Sequence, residues 1–163
     1  MKKQIFIVNG HPGSGKDTFA SILSEYEEVR KYSIIDKVKT IAFIMGWSGA
    51  KEEKDRKFLS DLKKLAEQYN DLPFEDVKRN VNIFLVDKES RIMLIDMREP
   101  KDIKRAQEEL NAKTIFIKND RVKHITSNIA DAGVENFDYN YIIENNGTIG
   151  EFRRNIIKFL YSL

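Results

Sequence analysis

Residues 10–17, Gly-His-Pro-Gly-Ser-Gly-Lys-Asp, have the types and spacing of a loop that binds phosphate. They match the template G-x-x-x-x-G-K-[ST] at every position except the last, where Asp17 replaces Ser or Thr. The glycines let successive backbone N–H groups turn into one cavity, and Lys16 adds a full positive charge. Such a cavity binds the polyphosphate of a nucleotide. The residues expected to contact the phosphates are Gly10, Gly13, Ser14, Gly15, Lys16, Asp17 and Thr18.

The flanking sequence supplies the elements that this loop needs. The apolar run at 5–8, Ile-Phe-Ile-Val, predicts a buried strand, and residues 18–23 open an amphipathic helix. The helix adds the positive end of its dipole to the cavity. A glycine-rich turn without a ligand is the alternative interpretation. The order strand, loop, helix favours nucleotide binding.

A second candidate site residue, Asp96, ends the apolar run at 92–95. A carboxylate at the end of a strand can hold Mg²⁺, or its water shell, beside the β- and γ-phosphates. Asp17 can contribute a second acidic contact through water, whereas Thr18 lies one helical step, about 100°, around the axis. A turn or helix cap is the alternative role for Asp96. Arg98 follows two residues later and can hold a substrate phosphate with its two-pronged donor set, or pair with a neighbouring acid.

Composition narrows the class of protein. The chain has 163 residues, 41% hydrophobic and 33% charged, as expected for a single soluble domain spanning 1–163. A net charge of +2 gives no argument for a nucleic-acid or membrane partner. The sequence has no cysteine, which excludes disulfides and a thiol nucleophile. The apolar stretch behind the first three residues is too short for a signal peptide, so we expect a cytoplasmic protein.

Strand and helix patterns alternate along the chain. This order predicts an α/β fold, a three-layer, doubly wound and mostly parallel five-stranded sheet. Strands are predicted at 5–8, 31–35, 91–95, 114–117 and 139–143, and helices at 15–29, 36–47, 52–70, 74–87, 100–110 and 149–160. Two consecutive helices form an insertion at about 48–90, beside the nucleotide site. The stripe Phe58, Leu62, Leu65 and Tyr69 is predicted to face the core.

Two motifs together resemble one family. Gly-Ser-Gly-Lys-Asp-Thr at 13–18 and Asp-Met-Arg-Glu-Pro at 96–100 are similar to the phage-type deoxynucleoside monophosphate kinases, in the P-loop nucleoside monophosphate kinase group. The family's loop reads Ser-Gly-Lys-Asp-Thr and its later motif is Asp-x-Arg-x-Pro. Looser similarity at 33–39, Arg121 and 145–148 extends the order of motifs over nearly the whole chain. Residues 48–90 depart from the family pattern.

The resemblance implies roles for further residues. Asp36, Lys39 and Arg98 would face the acceptor, and Arg56 or Lys57 would add phosphate contacts from the inserted helices. A helix cap and solvated charges are the alternative roles of these residues. Arg121, together with Lys123 and His124, would belong to a lid-like loop at about 119–136, whose basic residues neutralise charge during transfer in this group of kinases. A solvated loop is the alternative, and it is the favoured one for His124. The catalytic residues are then Lys16, Arg98 and Arg121, and Asp96 and Asp17 hold Mg²⁺. The turn at 145–148 lies near the donor base in the family.

The sequence therefore predicts a kinase that transfers the γ-phosphoryl group of ATP to a (deoxy)nucleoside monophosphate, with Mg²⁺ as cofactor. Its partners would be small-molecule nucleotides, without nucleic acid or membrane, and a homodimer is one possible assembly. The alternatives are a kinase for another phosphorylated acceptor, such as dephospho-coenzyme A or phosphomevalonate, and a nucleotide-binding regulatory module. A nucleic-acid end kinase is disfavoured because the sequence has no basic stripe.

Overall fold

A computed structural model describes residues 2–122 and 134–163. The described elements alternate as the sequence predicts. In chain order they are β1 (Gln4–Asn9), α1 (Lys16–Leu23), β2 (Val29–Ser33), α2 (Asp36–Ile44), α3 (Glu53–Asn70), α4 (Leu72–Val86), β3 (Ile92–Asp96), α5 (Pro100–Leu110), β4 (Lys113–Lys118), a short 3₁₀ turn (Val134–Asn136), β5 (Tyr141–Glu144) and α6 (Ile149–Tyr161). The first helix ends at Leu23 rather than near residue 29.

The five strands form one sheet in the order β2-β3-β1-β4-β5, and every neighbouring pair is parallel. This confirms the predicted α/β sheet. Crossovers between parallel strands are right-handed. The connection from β1 to β2 and the connections from β3 to β4 and from β4 to β5 run in opposite directions along the sheet, so their helices cover opposite faces. The result is the three-layer architecture that the alternating pattern predicts.

Two apolar cores flank the sheet, because alternate residues of each strand point to opposite faces. Phe6 and Val8 of β1 face a core completed by α1 and α6, whereas Ile5 and Ile7 face a core completed by α4 and α5. Burial on both faces explains why the central strands are almost continuously apolar in sequence. The sheet is thus rigidly held beneath the loops that follow its strands.

The inserted helical pair, α3 and α4, differs from prediction in the way that it packs. The prediction that the apolar stripe of α3 faces the core is wrong for its last two residues, since Leu65 is 63% and Tyr69 is 85% exposed. The buried side chains of α3 are instead Asp55 and Lys63. A Pro at the first turn of α4, where no backbone N–H is needed, starts that helix directly after α3.

All five strands end at one edge of the sheet, since they are parallel. The loops at 10–15, 34–35, 97–99, 119–122 and 145–148 therefore meet at this edge. Val134, at the far end of the segment predicted as a lid-like loop, is buried in the 3₁₀ turn, and residues 123–133 of that segment lie outside the described residues. Among the described residues, no helix is both long and apolar enough to cross a membrane.

Candidate functional site

The phosphate-binding loop closes tightly between β1 and α1. A Cβ at position 10 would lie 2.5 Å from the Ser14 hydroxyl oxygen and 2.8 Å from the Ile117 carbonyl oxygen. Gly15 has a φ of +106°, and a Cβ there would lie 2.5 Å from Nδ2 of Asn145. Both positions therefore require glycine. The buried Ser14 hydroxyl has no hydrogen-bond partner within 2–122 and 134–163, so the loop holds a polar group that a phosphate oxygen could satisfy.

Two side chains fix the shape of the loop. Nζ of Lys16 donates to the carbonyl oxygens of Gly10 at 2.6 Å and His11 at 3.2 Å, so the ammonium lies over the loop. Nδ2 of Asn145, which follows β5, donates to the Ser14 carbonyl oxygen at 2.8 Å. The turn at 145–148 is thereby attached to the phosphate loop, and its own capping box starts α6.

A chain of alternating charges crosses the start of α1. Nζ of Lys31 on β2 lies 2.7 Å from Oδ1 of Asp17, and this bond lowers the pKa of Asp17. Asp96 pairs in register with Val8 and Ser33 at the end of β3, so its half-buried carboxylate lies between neighbouring strand ends. Burial raises the pKa of Asp96, and the charges of Lys31 and Lys16 oppose that rise.

The donor chemistry of these acids suits a divalent cation. Mg²⁺ prefers carboxylate oxygens and retains several waters, and it is usually held by one or two carboxylates plus substrate phosphates. Asp96 is close enough to Asp17 for their charges to interact, and both interact with Lys16. Asp17 is almost fully exposed and can reach a hydrated ion through water. The residues present therefore fit Mg²⁺.

The four predicted acceptor residues lie on the elements around β2 and β3. Oδ2 of Asp36 accepts from the Ser33 amide at 2.8 Å, so this carboxylate caps the turn into α2. Lys39 is half-buried one turn further along. Arg56, at the start of α3, donates from Nε to the Lys51 carbonyl oxygen at 3.2 Å. Arg98 is exposed just beyond Asp96, and its charge acts on that carboxylate.

Arg121 lies on the other side of the phosphate loop. Its guanidinium donates to the Asn145 carbonyl oxygen at 3.0 Å and to Oδ1 of Asn119 at 3.4 Å. The loop after β4 is thus joined to the turn after β5, next to the expected donor site. Lys123 and His124, the other members of the predicted basic cluster, lie outside the described residues.

Lys31 is the cation that reasoning from the sequence missed. It lies in a short strand and belongs to no recognisable sequence motif. The pairing of β2 with β3 brings it close to Asp17 and Asp96. One signal for Lys31 was available in the sequence. It lies two residues before Ser33 at the end of the same strand, so the two side chains point to the same face of the sheet. His11, a variable position of the motif, also has a partner, since Nε2 lies 3.0 Å from Oε1 of Glu135.

Solved structures share this fold over nearly their whole length. The chain is similar to shikimate kinase from Aquifex aeolicus (TM-score 0.56, 16% identity, 98% of this chain and 97% of that chain covered). It is also similar to dephospho-CoA kinase from Campylobacter jejuni (TM-score 0.54, 18% identity, 98% of this chain and 97% of that chain covered). A third similar structure is thymidylate kinase from Ehrlichia chaffeensis (TM-score 0.51, 14% identity, 98% of this chain and 100% of that chain covered). The sequence matches no protein-family model and no curated protein. At this identity the similarity establishes the fold alone, a five-stranded parallel α/β sheet that this chain shares with these three kinases.

Proposed function

We propose that the protein transfers the γ-phosphoryl group of ATP to a phosphorylated small molecule, with a (deoxy)nucleoside monophosphate as the acceptor class. The observation that carries the proposal is the convergence of the phosphate loop, Lys16, Asp96 and Arg98 at one edge of the sheet. The shared fold with three small-molecule kinases supports it. The motifs at 13–18 and 96–100 supply the choice of acceptor.

The reaction needs positioning and charge neutralisation rather than a covalent intermediate. An acceptor phosphate oxygen attacks the γ-phosphorus, the bond to the bridging β–γ oxygen breaks, and ADP leaves with the electron pair. The loop amides and Lys16 hold the donor phosphates, and moving Lys16 from the loop carbonyls to phosphate keeps its donors satisfied. Bound Mg²⁺ would neutralise charge on the phosphates, held by Asp96 and, through water, by Asp17.

The acceptor side is formed by Arg98 and the inserted helices. A guanidinium binds a phosphate through two parallel hydrogen bonds, which aligns the acceptor as well as attracting it. Arg98 and Arg56 would bind the acceptor phosphate in this way, and Arg121 would act on the donor side. The joined loops at 119–122 and 145–148 would contact the donor base.

The proposal is tested by a transfer assay with ATP and Mg²⁺ over a panel of acceptors. The panel contains the ribo- and deoxynucleoside monophosphates, dephospho-coenzyme A, phosphomevalonate and shikimate. We expect a diphosphate product from one or more monophosphates. Transfer only to another acceptor would replace the acceptor class, and ATP hydrolysis without any transfer product would favour a regulatory module instead.

Lys16→Ala provides the matching test of the site. Transfer should fall at least about 100-fold, because a pre-oriented charge that stabilises the transition state is lost. Lys113→Ala, an exposed lysine at the opposite edge of the sheet, should leave transfer unchanged. Thermal unfolding should be similar in both variants. Full activity in Lys16→Ala would contradict the proposed function.

A further inference from the structure

The helix α3 contacts the rest of the molecule through half-buried apolar side chains and through two buried charged ones. Its buried side chains are Asp55, which belongs to its capping box, and Lys63, whose side chain is 8% exposed. Leu65 and Tyr69 point to solvent. Apolar packing tolerates sliding, whereas charged hydrogen bonds have defined directions. The position of α3 relative to its neighbours therefore depends on the partners of Lys63.

Three carboxylates surround the Lys63 ammonium. Nζ lies 2.7 Å from Glu67 one turn further along α3, 2.7 Å from Glu99 and 2.8 Å from Asp102. The carboxylate oxygens lie within 4.8 Å of one another, a spacing that could hold a metal ion. The ammonium contacts all three, so the cluster already contains its cation. Lys101 closes the outer side, 2.9 Å from Glu67 and 3.3 Å from Glu99.

Glu99 connects this cluster to the candidate site. It directly follows Arg98 and is the N-cap residue of α5, where its carbonyl oxygen accepts from the amides of Asp102 and Ile103. A bond to the Glu99 carboxylate therefore fixes the backbone that carries Arg98. On the other side, Arg56 precedes Lys63 by two turns of α3, about 10 Å along the axis. One ammonium thus joins the two elements that carry the acceptor-side arginines.

We propose that Lys63, acting through Glu99, is a positioning residue for the acceptor phosphate site, because it sets Arg98 at a fixed place relative to α3 and Arg56. The inference rests on the proposed function for its catalytic consequence. Lys63 itself is buried between α3 and α5 and does not contact substrate. Its effect reaches the reaction through the orientation of the Arg98 guanidinium, which matters because bidentate binding of phosphate depends on angle as well as distance.

Two matched variants, Glu99→Gln and Glu67→Gln, test the proposal. Each removes one carboxylate that lies 2.7 Å from the same ammonium and that also contacts Lys101. Only Glu99 is adjacent to Arg98. The probe is the acceptor that the wild-type enzyme phosphorylates fastest in the panel above. KM for this acceptor, KM for ATP and kcat are measured for both variants.

We expect Glu99→Gln to raise the KM for the acceptor about tenfold or lower kcat by a similar factor, with the KM for ATP unchanged. Glu67→Gln should stay within about twofold of wild type in every constant. Equal effects of the two variants, or a change in the KM for ATP alone, would show a merely structural cluster and overturn the proposal.

A second measurement needs no substrate. Amide hydrogen exchange in the peptide covering 97–103 should accelerate in Glu99→Gln and stay near wild type in Glu67→Gln, because only the first variant releases the loop. Unchanged exchange in both variants would overturn the proposal. If wild type transfers phosphate to no acceptor, the proposed function fails, and hydrogen exchange alone decides whether Lys63 holds the loop.

Discussion

Replacing Lys63 with methionine removes a buried charge while keeping most of the side-chain volume. The methionine leaves three acidic side chains facing one another between α3 and α5, of which Asp102 is only 10% exposed. Lys101 still contacts Glu67 and Glu99, so the Asp102 carboxylate loses most. The perturbation therefore creates an uncompensated buried charge rather than a cavity.

The expected cost follows from that burial. Removing one partner of a buried ion pair destabilises a protein by about 3–5 kcal/mol. For a domain of this size, the corresponding decrease in melting temperature is about 6–20 °C. Lys101→Met is the control, since that lysine is 60% exposed and contacts two of the same carboxylates. Exposed pairs contribute about 0–1 kcal/mol, so the control should be nearly as stable as wild type.

The cost should also depend on pH. In wild type, burial acts to raise the pKa of Glu67 and Glu99, but hydrogen bonds from Lys63 lower it by more. The pKa of both side chains therefore lies below the ordinary 4.5. That stabilisation is present above pH 4.5 and is lost as the pH falls. Burial raises the pKa of Asp102 even with the ammonium present. Without Lys63, the hydrogen bonds that lower the pKa of Glu67 and Glu99 are lost, and burial and mutual repulsion raise the pKa of all three carboxyl groups. The folded variant then binds protons more readily than its unfolded chain and gains stability on acidification.

Urea denaturation of wild type, Lys63→Met and Lys101→Met at pH 7.5 and pH 5.0 measures both effects. The difference in unfolding free energy between wild type and Lys63→Met should be smaller at pH 5.0 by about 1 kcal/mol or more. Two results would refute the reasoning. One is a Lys63→Met variant as stable as Lys101→Met, and the other is a cost that is the same at both pH values.

Three further predictions concern other parts of the molecule. Gly15→Ala should lower the free energy of unfolding by about 1–3 kcal/mol, because residue 15 has a positive φ. It should also weaken ATP binding by displacing Asn145, and calorimetry measures that affinity. An unchanged affinity would contradict the loop geometry. Tyr32→Phe removes the hydroxyl that donates to buried Asp76, so it should cost about 1–3 kcal/mol in denaturant titrations without altering ATP affinity. Asp17→Ala should change the free energy of unfolding by less than about 1 kcal/mol. It should raise the Mg²⁺ concentration needed for half-maximal transfer. An unchanged Mg²⁺ dependence would show that Asp17 does not contribute to the metal site.

The phosphate loop could be predicted in detail because its signals are local. A strand, a turn with glycines at fixed positions and a helix start are all specified within about 20 residues, and nothing distant is required to form them. The parallel sheet follows in the same way, since buried strands alternating with helices have few other arrangements. The order of the strands and the register that brings Asp96 beside Val8 depend on packing between distant segments.

The helix α3 shows where sequence patterns fail. Its apolar spacing predicts that Leu65 and Tyr69 face the core, but they are exposed and Lys63 is buried. An apolar stripe assumes that a helix packs by its hydrophobic side along its whole length. In the second half of α3 the buried contact is instead made by the Lys63 ammonium with three carboxylates, one from α3 and two from the start of α5. Two of the carboxylates lie 36 and 39 residues away, so no local pattern indicates them.

The sequence by itself determined that a glycine-rich loop with the phosphate-binding pattern stands between a buried strand and a helix, and that an acid and an arginine follow a later strand. Those features depend on residues close in the chain, whose conformations are set by glycine, hydrophobic period and helix start. Only the tertiary structure decided that Lys31 interacts with both Asp17 and Asp96, that Asn145 holds the loop, and that Lys63 joins α3 to Glu99, the residue after Arg98. Those contacts link distant segments, and their energies depend on burial that exists only once the chain has folded.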